Sequence, residues 1–448
     1  MTDAASPASE PLPRPLDAFE RLMLADDRPR QPMRFFVEFR VRGPLREDLL
    51  RQSVAAAARR HPLLGSRILR RRGVPHWVAA DLSPKVVWHP GPAAPEPWRP
   101  AALGEESGLR CVVLPDGTDR HRVVMQFHHA VCDGVAGLEF AGDVWSLYGG
   151  GSPRPFAAPT DGRLRPRREP SRAAAAGRRG GLAEAWDFAR FRPMPLARVP
   201  GPAPDEPPGV APLPPYAWHE FDRPETTAIR AAAGRLGGSL NDLVVAAVMR
   251  AALAWNSAAA GRPGDVRITL PVSLRSPGRR EPAHNDMAYA FLDRTVAACS
   301  APGPLTASVA AATDWILEHG AARAFLSALE PLSRVPGGLW LATRLPTCFS
   351  TAVVSCVGDP SRRMRIGLPK RDGYDAPGPL VIERCIGAPP LRPGTRAALG
   401  ITTYAGRLAV CCLCSAHDDP RYGATLFLDR VRAAIGECAA AAEGGPTG

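Results

Sequence analysis

No stretch of eighteen consecutive apolar residues occurs in the chain, and residues 1–15 are polar and proline-rich, without the apolar core that an export signal needs. Neither a membrane span nor a secretory leader is therefore expected, and the chain reads as soluble and cytoplasmic. Its ten cysteines form no short, regular framework; they are spread through apolar segments, as small buried hydrophobes are. Cys411-Cys412-Leu413-Cys414 lacks a second ligand pair at zinc spacing. In a strand, Cys411 would also face away from Cys412 and Cys414, so no metal is implied. The net charge of +12 fits acidic partners. The basic residues are scattered, however, and no nucleic-acid recognition motif accompanies them, so nucleic acid is not an expected ligand.

What is present is globular: 45% apolar and 22% charged residues over 448 positions, enough for two domains of about 200 residues each. The 50 prolines are concentrated, with fifteen of them in residues 151–220 beside Arg- and Gly-rich patches, which is the composition of a linker. The expected organisation is an N-terminal subdomain over 16–150, a crossover over 151–220 and a C-terminal subdomain over 221–448. Within the crossover, Leu182, Ala185, Trp186 and Ala189 are spaced for a short helix over 181–192, stopped by Pro193.

One stretch is more specific. Arg122-Val123-Val124-Met125-Gln126-Phe127 alternates as a half-buried strand does. Val123, Met125, Phe127 and His129 then share one face, and Val124, Gln126 and His128 share the other. The two histidines therefore point opposite ways. Val135, Leu138, Ala141, Trp145 and Tyr148 recur every three or four residues, marking one face of a helix opened by Asp133 and Gly134. The run His128-His129-x-x-x-Asp133-Gly134 thus occupies a strand-to-helix turn. An imidazole at a rigid strand end suits base chemistry, because its ordinary pKa is about 6.5. Gly134 adds backbone freedom and an amide able to approach a reacting centre. The plainer alternative is a packed histidine pair with Asp133 as a helix cap.

This run resembles the signature of the superfamily that contains chloramphenicol acetyltransferase, the condensation domains of nonribosomal peptide synthetases, wax ester synthases and polyketide-associated acyltransferases. The resemblance implies an α/β fold of two subdomains, each a mixed sheet covered by helices, arranged as a V around a tunnel. It makes His129 the catalytic base and Asp133 a structural carboxylate held by an arginine.

Other segments are similar to the same family. The segment 266–275 ends in Pro271-Val272-Ser273-Leu274-Arg275, and the resemblance makes Arg275 the partner of Asp133, 142 positions earlier, so that the pair would clamp one domain to the other. Asn285 stands where relatives carry a turn facing the tunnel. Val354-Ser355-Cys356 stands where stand-alone relatives have Val-Ser-Asn. Cys356 thus replaces an asparagine, and Ser355 remains as a hydroxyl to steady an oxyanion. Arg60-His61-Pro62-Leu63-Leu64 resembles a structural segment of condensation domains, and His61 is read as a packing histidine. The Asp-Phe-Gly-Trp-Gly segment of plant-type acyltransferases is absent.

Elsewhere, Arg34–Arg42 alternates as a strand with Phe35, Val37, Phe39 and Val41 inward, and 45–60 reads as a helix. Ser239 and Asp242 form a capping box at the start of an apolar helix, 399–411 spans a hairpin around Ala405-Gly406, and a closing helix covers about 422–441.

The implied reaction is acyl transfer from a thioester, on coenzyme A or on a carrier protein, to an alcohol or amine, with no cofactor beyond the thioester substrate. His129 takes the acceptor's proton and Gly134 meets the oxyanion. A carrier partner in natural-product assembly is slightly preferred, because the chain has no adenylation or carrier region of its own. Two rivals are a non-catalytic recruitment protein of the same fold and a metal hydrolase built on His128, His129 and Asp133. The second is disfavoured by the opposed faces of the histidines.

Overall fold

The computed structural model describes residues 12–91, 98–157, 190–201, 213–259, 261, 264–276, 278–345, 347–365 and 367–443. The chain divides into two units. The first takes the chain up to 169 together with two later excursions, Ser273–Met287 and Asp359–Cys385, and the second takes the remainder. The excursions place 42 residues of the expected C-terminal half in the first unit.

In the first unit, helix α1 (Ala18–Asp26) starts on a capping box in which Asp17 and Glu20 satisfy each other's backbone amides. Strand β1 (Arg34–Arg42) follows, then helix α2 (Glu47–Arg59), and strands β2 (Lys85–Trp88), β3 (Leu109–Pro115) and β4 (Arg120–His128). They build a five-stranded sheet in the order Val381–Ala388, β1, β4, β3, β2. The pairs β1–β4 and β3–β4 are antiparallel and β2–β3 is parallel, so the sheet is mixed.

The alternation of β1 does bury Phe35, Val37, Phe39 and Val41, but Phe36 and Glu38 on the opposite face are buried as well. A carboxylate survives there because Arg122 (2.7 Å) and Arg384 (3.3 Å) neutralise Glu38. Helix α3 (Gly134–Tyr148) packs on α2 and is buried on nearly every side. Its Gly142 lies so close to the short helix Pro360–Met364 of the second excursion that an added Cβ would strike the Met364 carbonyl.

The second unit holds a six-stranded sheet. Its members are β5 (Ala217–Glu220), β6 (Val266–Ser273), β7 (Met287–Arg294), β8 (Ala352–Gly358), β9 (Ala397–Tyr404) and β10 (Arg407–Cys414), in the order β7-β6-β8-β9-β10-β5. The pairs β6–β8 and β8–β9 are parallel, whereas β9–β10 is the expected hairpin. Ala405 and Gly406 turn it with φ of 50° and 80°, a two-residue left-handed turn that matches strand twist.

Helices α4 (Arg223–Arg235), α5 (Leu240–Ala258), α6 (Pro302–His319), α7 (Arg323–Arg334) and α8 (Pro420–Ala440) complete the unit. Gly320, with φ 58° at the C-cap of α6, separates α6 from α7. Ser239 and Asp242 form both halves of the box that starts α5. Cys411, Cys412 and Cys414 are buried in β10, where desolvation pushes the Cys414 thiol up to about 12 and Cys412 well above its ordinary value.

Most of the expected short helix over 181–192, and much of the proline-rich crossover, lies outside the described residues. Where the crossover is described it is anchored within the second unit: Met194 N donates to Asp265 O and Val199 N to Ala416 O, both at 2.8 Å.

Two glycine substitutions test this packing by denaturant unfolding. Gly142→Ala is expected to lower stability by about 1–3 kcal/mol, since the added methyl must push the Met364 backbone off α3. Gly234→Ala, in α4 with nothing within 4 Å of the added methyl, is expected to stabilise by about 0.5–1 kcal/mol. Equal effects from the two changes would mean that the close approach at Gly142 does not exist.

Candidate active site

The end of β4 is fixed by its neighbours. His128 pairs with Arg34 and donates its amide to Gly108 O (2.8 Å), and the His129 amide donates to Met33 O (2.7 Å). The backbone ladder thus runs one residue past the strand and holds both histidines in alternating register.

Their side chains have different surroundings. His128 is buried, accepts the Ala130 amide on Nδ1 at 3.0 Å and faces Asp27 Oδ2 with Nε2 at 3.3 Å. An acceptor Nδ1 puts the proton on Nε2, the nitrogen turned toward the Asp27 carboxylate. The His129 ring lies edge-on to Phe35 (5.2 Å) and Phe19 (5.9 Å). Phe35 is stacked on Phe127, its cross-strand partner, which puts His129 on the face its alternation predicts.

Burial among these rings pushes the His129 pKa down to about 4, since an apolar surround disfavours the imidazolium; Asp133 acts in the opposite sense and does not compensate. At neutral pH His129 is an uncharged imidazole, the form able to accept a proton.

The turn after the strand is stapled from outside. Asn285 Nδ2 donates to the carbonyls of His129 (2.9 Å) and Ala130 (3.0 Å). Asp133 is buried, caps α3 by accepting Ala136 N on Oδ1 (3.0 Å), and accepts Asp286 N (2.9 Å) and the Arg275 guanidinium on Oδ2. Arg275 also donates to His284 O at 2.6 Å. Burial alone would raise the Asp133 pKa, but Arg275 and the two amides outweigh it and hold the carboxyl below the ordinary aspartate range. Three donors thus hold the buried Asp133 carboxylate as an anion.

The Asp133–Arg275 pair lies inside the first unit, because Ser273–Met287 belongs to that unit. The clamp between domains that the sequence led to is therefore a clamp between an excursion and the turn.

The excursion has a second anchorage that sequence reasoning missed. His61 is fully buried; its Nδ1 accepts Ala283 N (2.8 Å) and its Nε2 meets Asp143 Oδ2 (3.1 Å). Asp143, in the last two turns of α3, also takes Arg60 Nε (2.9 Å) and the Arg280 guanidinium. The cations Arg60 and Arg280 both lie over the Phe156 ring, at 4.8 and 4.9 Å. The signal was available: Glu139 and Asp143 are carboxylates within an otherwise apolar helix, and a buried acid requires a cation. Glu139 finds Arg365 at 3.2 Å.

Gly134, the first residue of α3, has no left-handed φ, so its expected backbone freedom is not used. An added Cβ would meet nothing within 4 Å, so the space beside Gly134 is open. Ser355 and Cys356 lie in the second unit, on β8, where their backbones pair with Gly400 and Ile401. Burial pushes the Cys356 thiol up to about 12, with Asp242 adding to the effect, so it stays protonated and is no nucleophile.

His128, His129 and Asp133 do not converge as a ligand set would. Among the described residues Glu281, His284 and Asp286 bring donor atoms within 4.8 Å of one another, but the Arg279 guanidinium sits 2.5 Å from Glu281 Oε1 and opposes a cation there.

No family model and no curated protein sequence matches the chain. Solved structures do. Polyketide synthase associated protein 5 from Mycobacterium tuberculosis aligns over 96% of this chain and 99% of its own, at TM-score 0.62 and 18% identity. The starter condensation domain of rhizomide synthetase, solved with C8-CoA and Leu-SNAC, aligns over 96% and 94% at 0.61 and 14%. The trichothecene 15-O-acetyltransferase from Fusarium sporotrichioides aligns over 96% and 95% at 0.65 and 13%. The fold of this chain is thus similar to the fold of these condensation-domain and acyltransferase structures.

A double-mutant cycle tests the clamp. Asp133→Ala and Arg275→Ala should each destabilise the protein by about 3–5 kcal/mol, because each leaves the other charge buried and alone. The double variant should lose at least ~1 kcal/mol less than their sum. Additive losses in urea unfolding would show that the two charges do not interact.

Proposed function

We propose that this protein is a stand-alone acyltransferase that moves an acyl group from a thioester to an alcohol or amine, with His129 as general base. The observation that carries the proposal is the neutral, aromatic-packed imidazole of His129 on a turn held by Asn285, Asp133 and Arg275. A recruitment protein needs no base held uncharged at this position, and the effort spent on fixing the turn supports a chemical task.

In the proposed mechanism the acceptor O–H or N–H gives its proton to His129 as the oxygen or nitrogen attacks the thioester carbonyl. The carbonyl π electrons move onto oxygen. When the intermediate collapses, the C–S bond breaks and the thiolate regains a proton from the imidazolium, so His129 ends neutral. A base of this kind commonly contributes roughly 10²–10⁴-fold. A pKa near 4 makes the imidazolium a strong acid, which suits return of the proton to the leaving sulfur. The Gly134 amide, beside open space, is the proposed oxyanion donor.

The donor is proposed to be carried on a phosphopantetheinyl arm, of a carrier protein in natural-product assembly or of coenzyme A. The rhizomide domain of the same fold was solved with a coenzyme A thioester, which supports a thioester donor without choosing between these carriers.

Intact-mass analysis of products from acyl thioesters on coenzyme A and on a carrier protein, offered to mixed amines and alcohols, tests the reading. Product that falls roughly 10²–10⁴-fold in His129→Ala supports it, and the donor that works identifies the carrier. Equal product from both proteins moves the reading to a different base, and none from a broad panel moves it to the non-catalytic recruitment protein. The pH dependence adds an independent test. Because the lowered pKa keeps the base form present as pH falls through 6.5, kcat/KM should stay level from pH 8 to 6 and decline only as pH approaches 4. A half-maximal point near 6.5 would mean that an ordinary, solvated histidine is the base.

A further inference from the structure

The second unit carries an apolar surface that neither its core nor the proposed chemistry uses. Helix α7 ends at Arg334, and Gly337, with φ 74°, turns the chain into a short helix, Gly338–Ala342. Leu339 is buried and fastens that helix to the unit, so its neighbours are turned outward. Val335 is 56% exposed, Trp340 57%, Leu341 60% and Leu345 50%, four large apolar side chains within eleven residues. Isolated exposed apolar residues are ordinary, but a contiguous set on one segment marks a binding surface.

The charge on this segment is of one sign. Between 331 and 350 the sequence holds Arg334 and Arg344 and neither Asp nor Glu. Arg344 lies over the Trp340 ring at 4.4 Å, while Arg334 reaches Glu330, just outside the segment, at 3.2 Å. A tryptophan flanked by leucines and backed by arginine is the set found where a protein enters the boundary between lipid headgroups and acyl chains. The surface is also small and protruding. A stable protein partner needs about 800 Å² on each side, far more than one five-residue helix and its flanks present, whereas a bilayer accepts a few inserted side chains. Among the described residues no single helix is long and apolar enough to cross a membrane.

We propose that segment 332–345 seats this protein on an anionic lipid surface, with Trp340, Leu341 and Leu345 inserted among the lipids and Arg344 at the headgroups. The inference does not rest on the acyl-transfer reading, and its test uses no activity.

Co-sedimentation of the full chain with vesicles of phosphatidylcholine alone, and of phosphatidylcholine with phosphatidylglycerol, gives the first measurement, with sedimentation velocity as the second. Binding to the mixed vesicles should fall about tenfold or more in Trp340→Ser/Leu341→Ser and by roughly fivefold in Arg344→Gln. Trp315→Ser should leave it unchanged, since Trp315 is an exposed tryptophan on α6, stacked on His319. All these positions lie at the surface, and matched unfolding midpoints would show that the variants remain folded. Failure to bind either vesicle overturns the proposal. So does a dimer that the double serine variant abolishes, because a second copy is then the occupant, or capture of a purified acyl carrier protein through the same residues without vesicle binding.

Discussion

The site depends on the buried ion pair between Asp133 and Arg275. A carboxylate with almost no exposure is tolerable only because a guanidinium and two amides surround it, and each of those donors has a second structural effect. The Ala136 amide starts helix α3, the Asp286 amide draws in the loop that carries Asn285, and Arg275 reaches on to the His284 carbonyl. Asn285 then grips the His129 carbonyl. Placement of the imidazole is therefore a downstream result of satisfying one anion, and burial by Phe19 and Phe35 sets its proton affinity separately.

The division of labour between the two histidines follows from strand geometry. Successive residues on a strand face opposite ways, so one of an adjacent pair meets the interior and its ring nitrogens must be satisfied there. His128 meets the Ala130 amide with Nδ1 and turns Nε2 toward Asp27. His129, on the other side, is packed against rings and has no carboxylate within hydrogen-bonding reach among the described residues. Its proton affinity is therefore set by desolvation rather than by a charged orienting partner.

Much of this was legible in the residues themselves. Alternation located β1 and β4 and assigned the faces of the histidines, and the 3–4 spacing after Gly134 located α3. The box at Ser239 and the turn at Ala405-Gly406 marked boundaries because their chemistry is local. The Asp133–Arg275 pair was reached only through resemblance, since nothing in a linear sequence brings positions 142 apart together. The His61–Asp143–Arg280 anchorage escaped for the same reason, although a carboxylate inside an apolar helix was a visible sign that a partner existed. Boundaries between the units were least legible. A proline-rich stretch marks one crossing of the chain, but the excursions at Ser273–Met287 and Asp359–Cys385 carry no comparable change of composition.

The course of the chain also fixes when the site can form during synthesis. The turn bearing His129 and Asp133 leaves the ribosome long before Arg275 does. At about 5–20 residues per second the 142 positions from one to the other take roughly seven to thirty seconds to be made. Throughout that interval the nascent first sheet holds an aspartate whose cation does not yet exist, and the edge beside β1 waits for Val381–Ala388. The growing chain is obliged to remain partly open, with an unpaired strand edge, until most of the second unit has been translated, and a chaperone that shields such edges would find its substrate in that window.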